Sequence, residues 1–500
     1  MKNGTLLAAI DLGSNSFRLE ICRFNNGLFQ RYEYLKEAVR QGSGLDQDRN
    51  LSVSSMEKGW DCLARFAERL SGFEPTQVRA VATQTLREAR NAKMFLEKAN
   101  RILGFPIEVV SGREEARLIY QGVAHLLPSS DERRLVIDIG GRSTEFIIGK
   151  NKEALQLESY RVGSVASSMK YFSSGEFSAS SFQRAEIAAK AILDEALPIF
   201  AKDAWDKAYG SSGTVSAVSE ALTQAGWPSD RITQEGIDWL KNELIRIGHV
   251  DKLRLEGIKE DRKAVIAGGL SVLSALLDLF GINELLVTPG ALRHGVLYDL
   301  IDREDEDKDI RAMTIAALRK TFQADASQAQ RVSRLASEFL SSLQTYDEGA
   351  PEWTRLKKKL DWAAQLHEIG NLISHTESHK HGAYIIENTD TPGFVKHELH
   401  RLSLLVLGHK GKLRKLDVDF EDEHLVYQLL SLRLAVILCH ARRDPESALL
   451  RIEKSKESPR CFDLKIEPLW SQRFPQSTHL LQQEVLSWQK TSWKLRLVLG

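Results

Sequence analysis

The chain lacks any long apolar run. Its longest apolar stretches, residues 270–279 and 402–407, are much shorter than the roughly 20 residues that a membrane-spanning helix requires. The first residues lead directly into a predicted strand and show no signal-peptide pattern. The chain also lacks excess charge, because 68 lysines and arginines balance 68 aspartates and glutamates. We therefore expect a cytoplasmic protein that binds neither membranes nor nucleic acid and that holds any anionic substrate with local groups.

Cysteine is scarce, and no CxxC pair occurs. The four cysteines are scattered along the chain: Cys22, Cys62, Cys439 and Cys461. This pattern predicts reduced structural thiols and argues against a zinc knuckle or a disulfide framework. The GxxxxGK[ST] pattern of P-loop proteins is missing as well, so any phosphate must be bound by another kind of loop.

What the chain does contain is a repeated design in its first 300 residues. An apolar strand at residues 6–10 ends in DLGSNS and is followed by an alternating strand. A second apolar strand, at residues 135–139, runs into DIGGRSTE and then into another apolar strand. We interpret this as an internal duplication. Strand and helix patterns alternate around both copies, which predicts two α/β domains, residues 1–131 and 132–301.

The composition changes after residue 301. A run of charged residues at 302–309 is typical of a linker or of a solvated helix start. Apolar residues then recur at helical spacing, which predicts a helical domain over residues 302–445. Alternating patterns return near the end of the chain and predict a small α+β region over residues 446–500.

The two repeated turns have the composition of phosphate-binding loops. Small residues let the backbone approach an anion, and their hydroxyl and amide groups add donors. A single loop of this kind fits a hairpin without ligand equally well, but the pair favours phosphate. The predicted phosphate-binding residues are Ser14, Asn15, Ser16, Gly140, Gly141, Ser143 and Thr144, with Gly213 and Thr214 from a third small-residue turn. Asp11, Asp138 and Glu145 are predicted to hold hydrated Mg²⁺, which prefers carboxylate and phosphate oxygens.

A candidate general base follows the strand at residues 107–110. Ser111 and Glu114 have the spacing of a capping box, so Glu114 is expected to bind the backbone N–H of Ser111 and to leave Glu115 available. The helix dipole favours the ionised form of Glu115, either as a base or as a mere surface carboxylate. Arg87, near the start of a helix predicted over residues 85–103, could grip phosphate with two hydrogen bonds or pair with Glu88 or Glu114.

Five motifs occurring in this order resemble the exopolyphosphatase and guanosine pentaphosphate phosphohydrolase (Ppx/GppA) family. They are DLGSNS at 11–16, ATQTLR at 82–87, SGREEAR at 111–117, DIGGRSTE at 138–145 and GSSGT at 210–214. The resemblance implies duplicated actin-like domains of the ribonuclease H-like type, shared with sugar kinases and Hsp70-type ATPases, whose cleft binds phosphates. It also implies an HD-like helical domain and a homodimer.

The resemblance assigns roles to individual positions. Glu115 matches the catalytic glutamate, Asp138 and Glu145 match positions associated with Mg²⁺, and Arg87 is among those matching phosphate contacts. A stimulating monovalent cation such as K⁺ is also implied. One position departs from the family, because Arg142 stands where a third glycine is common. We expect this arginine to contact phosphate; the alternative is that it obstructs the loop if that position needs a positive φ.

The helical region carries an incomplete version of the HD motif. His367 is followed by Glu368 rather than by aspartate. The nearby histidines have no spacing typical of a closed zinc site, so we expect a degenerate domain retained for its shape, with metal binding as the alternative. These possible ligands are His375, His379, His381 and His409.

These observations predict a hydrolase of phosphate chains. The expected activity is an exopolyphosphatase that releases terminal orthophosphate by Mg²⁺-assisted attack of water activated by Glu115. The first alternative is a guanosine pentaphosphate (pppGpp) 5′-phosphohydrolase, since both reactions cut a phosphoanhydride. A non-catalytic sensor of polyphosphate or of an alarmone nucleotide would not need Glu115. A sugar kinase is a further alternative, but no sugar site is evident.

Overall fold

The computed structural model describes residues 2–25, 28–303, 309–343, 351–389, 391–416, 418–446, 449–456 and 458–499. The chain divides into two compact units, Met1–Lys308 and Asp309–Gly500. Most of the predicted charged linker lies outside the described residues, since only 302, 303 and 309 of it are described. No helix within the described ranges is long and apolar enough to span a membrane.

The first sheet of the first unit forms around the N-terminal strand. Its order is β3-β2-β1-β4-β5, with β1, β2 and β3 antiparallel and β4 parallel to β1. The strands are β1 (Leu6–Leu12), β2 (Phe17–Asn25), β3 (Leu28–Glu37), β4 (Val78–Ala82) and β5 (Ile107–Val109). The helices are α1 (Val53–Arg69), α2 (Gln84–Glu88), α3 (Ala92–Leu103) and α4 (Gly112–Ala124). The turn between β1 and β2 contains the first predicted phosphate loop.

The second sheet repeats this arrangement. Its order is β10-β11-β9-β6-β7-β8, and β6, β7 and β8 are again antiparallel while β9 is parallel to β6. The strands are β6 (Arg133–Ile139), β7 (Thr144–Lys150), β8 (Glu153–Tyr160), β9 (Lys207–Ser211), β10 (Arg231–Thr233) and β11 (Glu284–Val287). The helices are α5 (Ser164–Tyr171), α6 (Ala179–Leu193), α7 (Leu197–Phe200), α8 (Ser212–Gln224), α9 (Gln234–Ile247), α10 (Glu260–Lys263), α11 (Ile266–Leu279) and α12 (Leu292–Asp302). The second loop therefore occupies the position equivalent to the first.

Helices α4 and α12 join the halves of the first unit. They approach so closely that a methyl group added to Gly295 would lie 1.7 Å from the Leu118 carbonyl oxygen. Asp299 of α12 is buried and accepts hydrogen bonds from Arg79 of β4 and Arg117 of α4. Charge-assisted hydrogen bonds of this kind strengthen a packed junction. The first turn of α4 is thereby fixed at the junction of the two halves.

The predicted continuous helix over residues 85–103 is wrong. The structure ends α2 at Glu88 and begins α3 at Ala92, with Ala89 in an extended conformation. The Asn91 amide accepts from the Leu51 backbone N–H (2.9 Å) and donates to the Leu51 carbonyl (3.0 Å), which draws the chain away from the helix axis. Glu88 consequently ends a short separate helix beside the first loop.

The second unit combines helices with a three-stranded sheet. Its helices are α13 (Ile310–Thr321), α14 (Ala326–Ser342), α15 (Pro351–Leu366), α16 (Ser378–Asn388), α17 (Lys396–Gly408), α18 (Glu423–Leu438), α19 (Pro468–Arg473) and α20 (Pro475–Trp488). Its strands are β12 (Leu450–Lys454), β13 (Cys461–Ile466) and β14 (Lys494–Leu499), in the order β12-β13-β14. Helices and strands contribute to one apolar core that extends in sequence from Ile315 to Leu495.

Candidate active site

The two hairpin turns meet around a pocket in the first unit. The pocket has a volume of about 270 Å³ and is lined by residues from both halves. A methyl group on Gly141 of the second loop would lie 2.7 Å from Ser14 Cβ of the first, so only glycine allows this contact. Ser14 is held in place, because its hydroxyl accepts from Thr85 Oγ1 (2.7 Å) and its carbonyl from the Gly42 N–H (2.7 Å).

Most of the predicted phosphate-binding residues line this pocket. Those that do so are Ser14, Asn15, Ser16, Gly140, Gly141, Ser143, Gly213 and Thr214. Asn15 Nδ2 and Ser16 Oγ are buried and have no hydrogen-bond partner among the described residues. Because buried polar groups rarely remain unpaired, these two atoms fit groups that bind a ligand.

Three of the predicted phosphate-binding residues are not in the pocket lining. The Thr144 hydroxyl donates to the Val162 carbonyl at 2.6 Å. Arg87 Nη1 donates to Glu115 Oε2 at 2.7 Å, rather than pairing with Glu114. Arg142 Nε donates to Glu88 Oε2 at 2.9 Å. In this structure these donors bind protein groups instead of facing the pocket.

The backbone at Arg142 is not strained. Arg142 is absent from the described residues with a positive φ, so the sequence-based concern about obstruction at this position does not apply. Its Nη1 also donates to the Gly42 carbonyl at 3.1 Å. Arg142 of the second half is thereby joined to Glu88 and Gly42 of the first half.

The duplicated hairpins place different partners beside their aspartates. Asp11 faces Arg18 across the first hairpin, and Asp138 faces Glu145 across the second. Arg18 Nη1 lies 3.0 Å from Asp11 Oδ2, so the first acid has a cation beside it. In the second hairpin the two neighbours are both acids. Burial raises the pKa of Asp138 to about 6, and burial together with the Glu115 and Asp138 carboxylates raises the pKa of Glu145 well above its ordinary value.

Glu115 extends from the first turn of α4 toward these acids. The predicted N-cap is confirmed, since Ser111 Oγ accepts from the Glu114 N–H at 3.1 Å. The Glu114 carboxylate also accepts from both Nε and Nη2 of Arg117, each at 2.8 Å. Glu115 is buried and lines the pocket, and its Oε2 accepts from Arg87. The sequence-based alternative of a surface glutamate is therefore wrong.

The expectation that the helix dipole keeps Glu115 reliably ionised is also wrong. Burial raises its pKa to about 7, the Arg87 guanidinium opposes this rise, and the charges of Asp11 and Asp138 add to it. Loss of water around a carboxylate outweighs the partial charge of a helix terminus. Glu115 therefore has a pKa in the range at which a carboxylate can accept a proton near neutral pH.

A set of cations in the pocket was missed by the sequence reading. They are Arg18, Lys36, Lys259, Arg262 and Arg293. Arg262 is buried, yet its side chain makes no hydrogen bond to a described residue, and its Nε lies 3.9 Å from Asp261 Oδ2. Burial and the nearby Arg18 charge lower its pKa. Arg18 follows the first loop closely in sequence, but no local pattern marks Arg262.

The acidic residues fit a hydrated Mg²⁺ rather than a metal held by protein groups alone. Within the described ranges no cluster of three or more His, Cys, Asp and Glu side chains could hold a metal ion. Asp11 and Asp138 both line the pocket, whereas Glu145 lies outside the lining and accepts from Ser159 Oγ at 2.8 Å. Mg²⁺ commonly uses one or two carboxylates and completes its shell with water and phosphate oxygens. Burial, with the Asp11 charge, raises the pKa of Asp138 to about 6, so its ionised form is disfavoured unless positive charge lies near it.

The histidines of the second unit are not gathered into a metal centre among the described residues. His367 and His409 are buried with ring centroids 5.5 Å apart, and each Nδ1 donates to a helix carbonyl. Burial lowers the pKa of both rings and so favours their neutral form. Glu368, which replaces the aspartate of an HD motif, is bound by Arg442 at 2.7 Å.

Comparison with known proteins places the chain in a family. Residues 21–304 match the model of the Ppx/GppA phosphatase family, and residues 310–487 match that of Ppx/GppA phosphatase, domain III. A guanosine-5′-triphosphate,3′-diphosphate pyrophosphatase from Vibrio parahaemolyticus is 36% identical over 98% of both chains.

Solved structures share the fold of the first unit. A Ppx/GppA family member from Aquifex aeolicus is 25% identical, with a TM-score of 0.51, over 60% of this chain and 99% of the other. An exopolyphosphatase from Cytophaga hutchinsonii has 23% identity and a TM-score of 0.53, over 60% and 98%. The fold is thus actin-like, with mixed sheets flanked by helices, and the protein is of the phosphatase class. Specifically, the chain belongs to the Ppx/GppA phosphatase family.

Proposed function

We propose that the protein hydrolyses the terminal phosphoanhydride bond of a phosphate chain bound between its two loops. The observation that carries this proposal is the position of Glu115, a buried carboxylate with a pKa of about 7 in a pocket lined by both loops. A binding protein would need the donors of the loops but not a carboxylate suited to accept a proton. A hydrolase needs both.

In the proposed reaction Glu115 acts as the general base. A water molecule attacks the terminal phosphorus, its proton passes to the Glu115 carboxylate, and the bond from phosphorus to the bridging oxygen breaks. Arg87 holds Glu115 Oε2, which leaves Oε1 to receive the proton. The unpaired Asn15 Nδ2 and Ser16 Oγ would bind phosphate oxygens. Positioning and charge neutralisation provide most of the rate enhancement in phosphoryl transfer.

We further propose that Asp11 and Asp138 hold Mg²⁺. Glu145 faces Asp138 across the second hairpin and lies beside this site. When bound, the ion supplies positive charge to the phosphate oxygens and offsets the repulsion between the acids. Asp11 already has Arg18 as a partner, so Asp138 is the stronger candidate ligand. We also infer that orthophosphate is released as the product.

We place guanosine pentaphosphate first among substrates, ahead of the polyphosphate expected from the sequence. The Vibrio relative, whose name specifies such a substrate, matches almost the whole chain. The pocket also carries Arg18 and Arg262 from opposite halves, close enough that the Arg18 charge lowers the pKa of Arg262. Two neighbouring cations of this kind fit the 3′-diphosphate that guanosine pentaphosphate carries in addition to the 5′ chain being cut.

The test is phosphate release, measured side by side from guanosine pentaphosphate and long-chain polyphosphate in the presence of Mg²⁺. We expect a higher kcat/KM for the nucleotide, and Arg262→Ala should raise KM for the nucleotide more than for polyphosphate. Arg246→Ala, which changes an exposed arginine of α9, is the matched control. A preference for polyphosphate would reverse the order of substrates, and binding without phosphate release would support a sensor instead.

A further inference from the structure

A continuous chain of hydrogen bonds connects the second loop with Glu115. Arg142 Nε donates to Glu88 Oε2 at 2.9 Å, and Gln84 Nε2 donates to Glu88 Oε1 at 2.7 Å. Arg87 donates to Gln84 Oε1 through Nε (2.9 Å) and Nη2 (2.7 Å). Arg87 Nη1 then donates to Glu115 Oε2 at 2.7 Å. The chain has five members and crosses from one half of the first unit to the other.

Each link of this chain can form in one direction only. A guanidinium group has only donors and an ionised carboxylate has only acceptors. The Gln84 amide must therefore turn its amino group toward Glu88 and its carbonyl toward Arg87, because the reverse orientation would face donor to donor and acceptor to acceptor. The position of Glu88 thus determines how Gln84 holds Arg87.

Arg142 is the member that comes from the second half. Its Nη1 also donates to the Gly42 carbonyl (3.1 Å), and this second bond fixes the plane of the guanidinium against the first half. The Glu88 and Arg142 side chains are only 11% and 19% exposed, so water does little to screen their attraction. The Arg142–Glu88 ion pair is therefore not a mobile surface contact, and it can orient the side chains bonded to it.

We propose that Arg142 is a positioning residue, which occupies Glu88 and thereby keeps Arg87 on Glu115 when the second loop lies against the first. Without Arg142, Glu88 is a poorly hydrated carboxylate adjacent in sequence to Arg87. Removing one partner of such a pair leaves a charge that seeks another. Gln84 already joins Glu88 to Arg87, so Arg87 is a cation for which Glu88 can compete with Glu115. The kinetic part of this inference rests on the proposed hydrolysis; the structural part does not.

The experiment compares Arg142→Ala with the double variant Arg142→Ala/Glu88→Gln. In the single variant we expect a loss of kcat of about ten- to a hundredfold with KM changed less than about threefold, because misplaced catalytic groups slow the reaction step more than binding. The double variant should recover most of this loss, since a neutral glutamine in place of Glu88 no longer competes for Arg87. Arg142→Lys, which can still pair with Glu88, should retain most of the activity. Arg161→Ala, an exposed arginine of the same half, is the control.

Crystal structures of both variants provide a readout that does not depend on substrate. We expect Arg87 to leave Glu115 for Glu88 in Arg142→Ala and to return in the double variant. Arg87 remaining on Glu115 in Arg142→Ala would overturn the inference, as would an equal loss of kcat in the single and double variants. If Arg142→Ala does not fold, the structure of Arg142→Lys provides the test. Arg87 must still bind Glu115 in that structure, and loss of this hydrogen bond would overturn the inference. If the structures agree but the wild type releases no phosphate, the proposed function fails and the positioning role stands.

Discussion

Glu115→Gln should have opposite effects on catalysis and on the stability of the fold. Glutamine keeps the size of the side chain and an oxygen that can accept from Arg87, but it cannot take a proton from water. General-base catalysis contributes about 10²- to 10⁴-fold, so kcat should fall by that factor while substrate binding is retained. Glu235, an exposed glutamate in the first turn of α9, provides the matched control, and its change to Gln should leave kcat unaltered.

The same change should stabilise the fold. The pKa of Glu115 rises from an ordinary value of 4.5 to about 7, which at about 1.4 kcal/mol per pH unit corresponds to roughly 3 kcal/mol. A raised carboxyl pKa means that the folded protein binds the proton more tightly than the unfolded chain. The ionised form therefore destabilises the fold above about pH 7, and this cost vanishes below about pH 4.5, where both states are protonated. A weakened bond to Arg87 reduces the net gain to about 1–3 kcal/mol.

Denaturant unfolding without Mg²⁺, combined with a phosphate-release assay, tests both parts. The variant should be more stable than the wild type at about pH 8, and the difference should shrink toward about pH 5. A difference in unfolding free energy that is the same at both pH values would refute the assignment of the raised pKa. A kcat within tenfold of wild type would refute the role of Glu115 as base.

Three further predictions concern the same pocket. Phosphate release should increase with pH between about 5 and 8, because Glu115 and Asp138, with pKa values of about 7 and 6, act as carboxylates; a flat profile would contradict this. Chelation of Mg²⁺ should abolish phosphate release, and added Mg²⁺ should raise Tm in the wild type but much less in Asp138→Asn; equal shifts would exclude Asp138 as a ligand. Gly213→Ala should raise KM as Arg262→Ala does, since the new methyl group would lie 1.9 Å from Arg262 Nη2; an unchanged KM would show that Arg262 is not used.

Local sequence patterns were sufficient to predict the strands that flank the two phosphate loops. Apolar runs followed by small residues predicted the hairpins at DLGSNS and DIGGRSTE, and the structure contains both. The same reasoning failed at residues 89–91, where helical spacing continues but the chain leaves the helix. Asn91 binds the Leu51 backbone there, and no periodicity can reveal a partner 40 residues away. Long-range hydrogen bonds therefore set boundaries that propensity alone does not.

The residues of the candidate site also divide into those that the sequence identified and those whose partners or position only the structure revealed. Small and acidic residues were identified from the motifs because their chemistry is evident in sequence. Arg87 and Arg142 were also recognised, but as phosphate contacts, whereas the structure pairs them with Glu115 and Glu88. Arg262 carried no signal, since its place in the pocket beside Gly213 results from tertiary packing.

The sequence by itself determined the duplicated design, the membership in a phosphatase family and the identity of Glu115 as the candidate base. These follow from residue type and order, which the sequence contains in full. The tertiary structure decided the charge state and the partners of those residues. A pKa depends on how much water surrounds a group and on which charges lie nearby, and both arise only when distant segments meet. Glu115 shows the difference. Its position at the start of a helix predicted an ionised carboxylate, whereas burial between the two halves raises its pKa to about 7, where it can accept a proton near neutral pH.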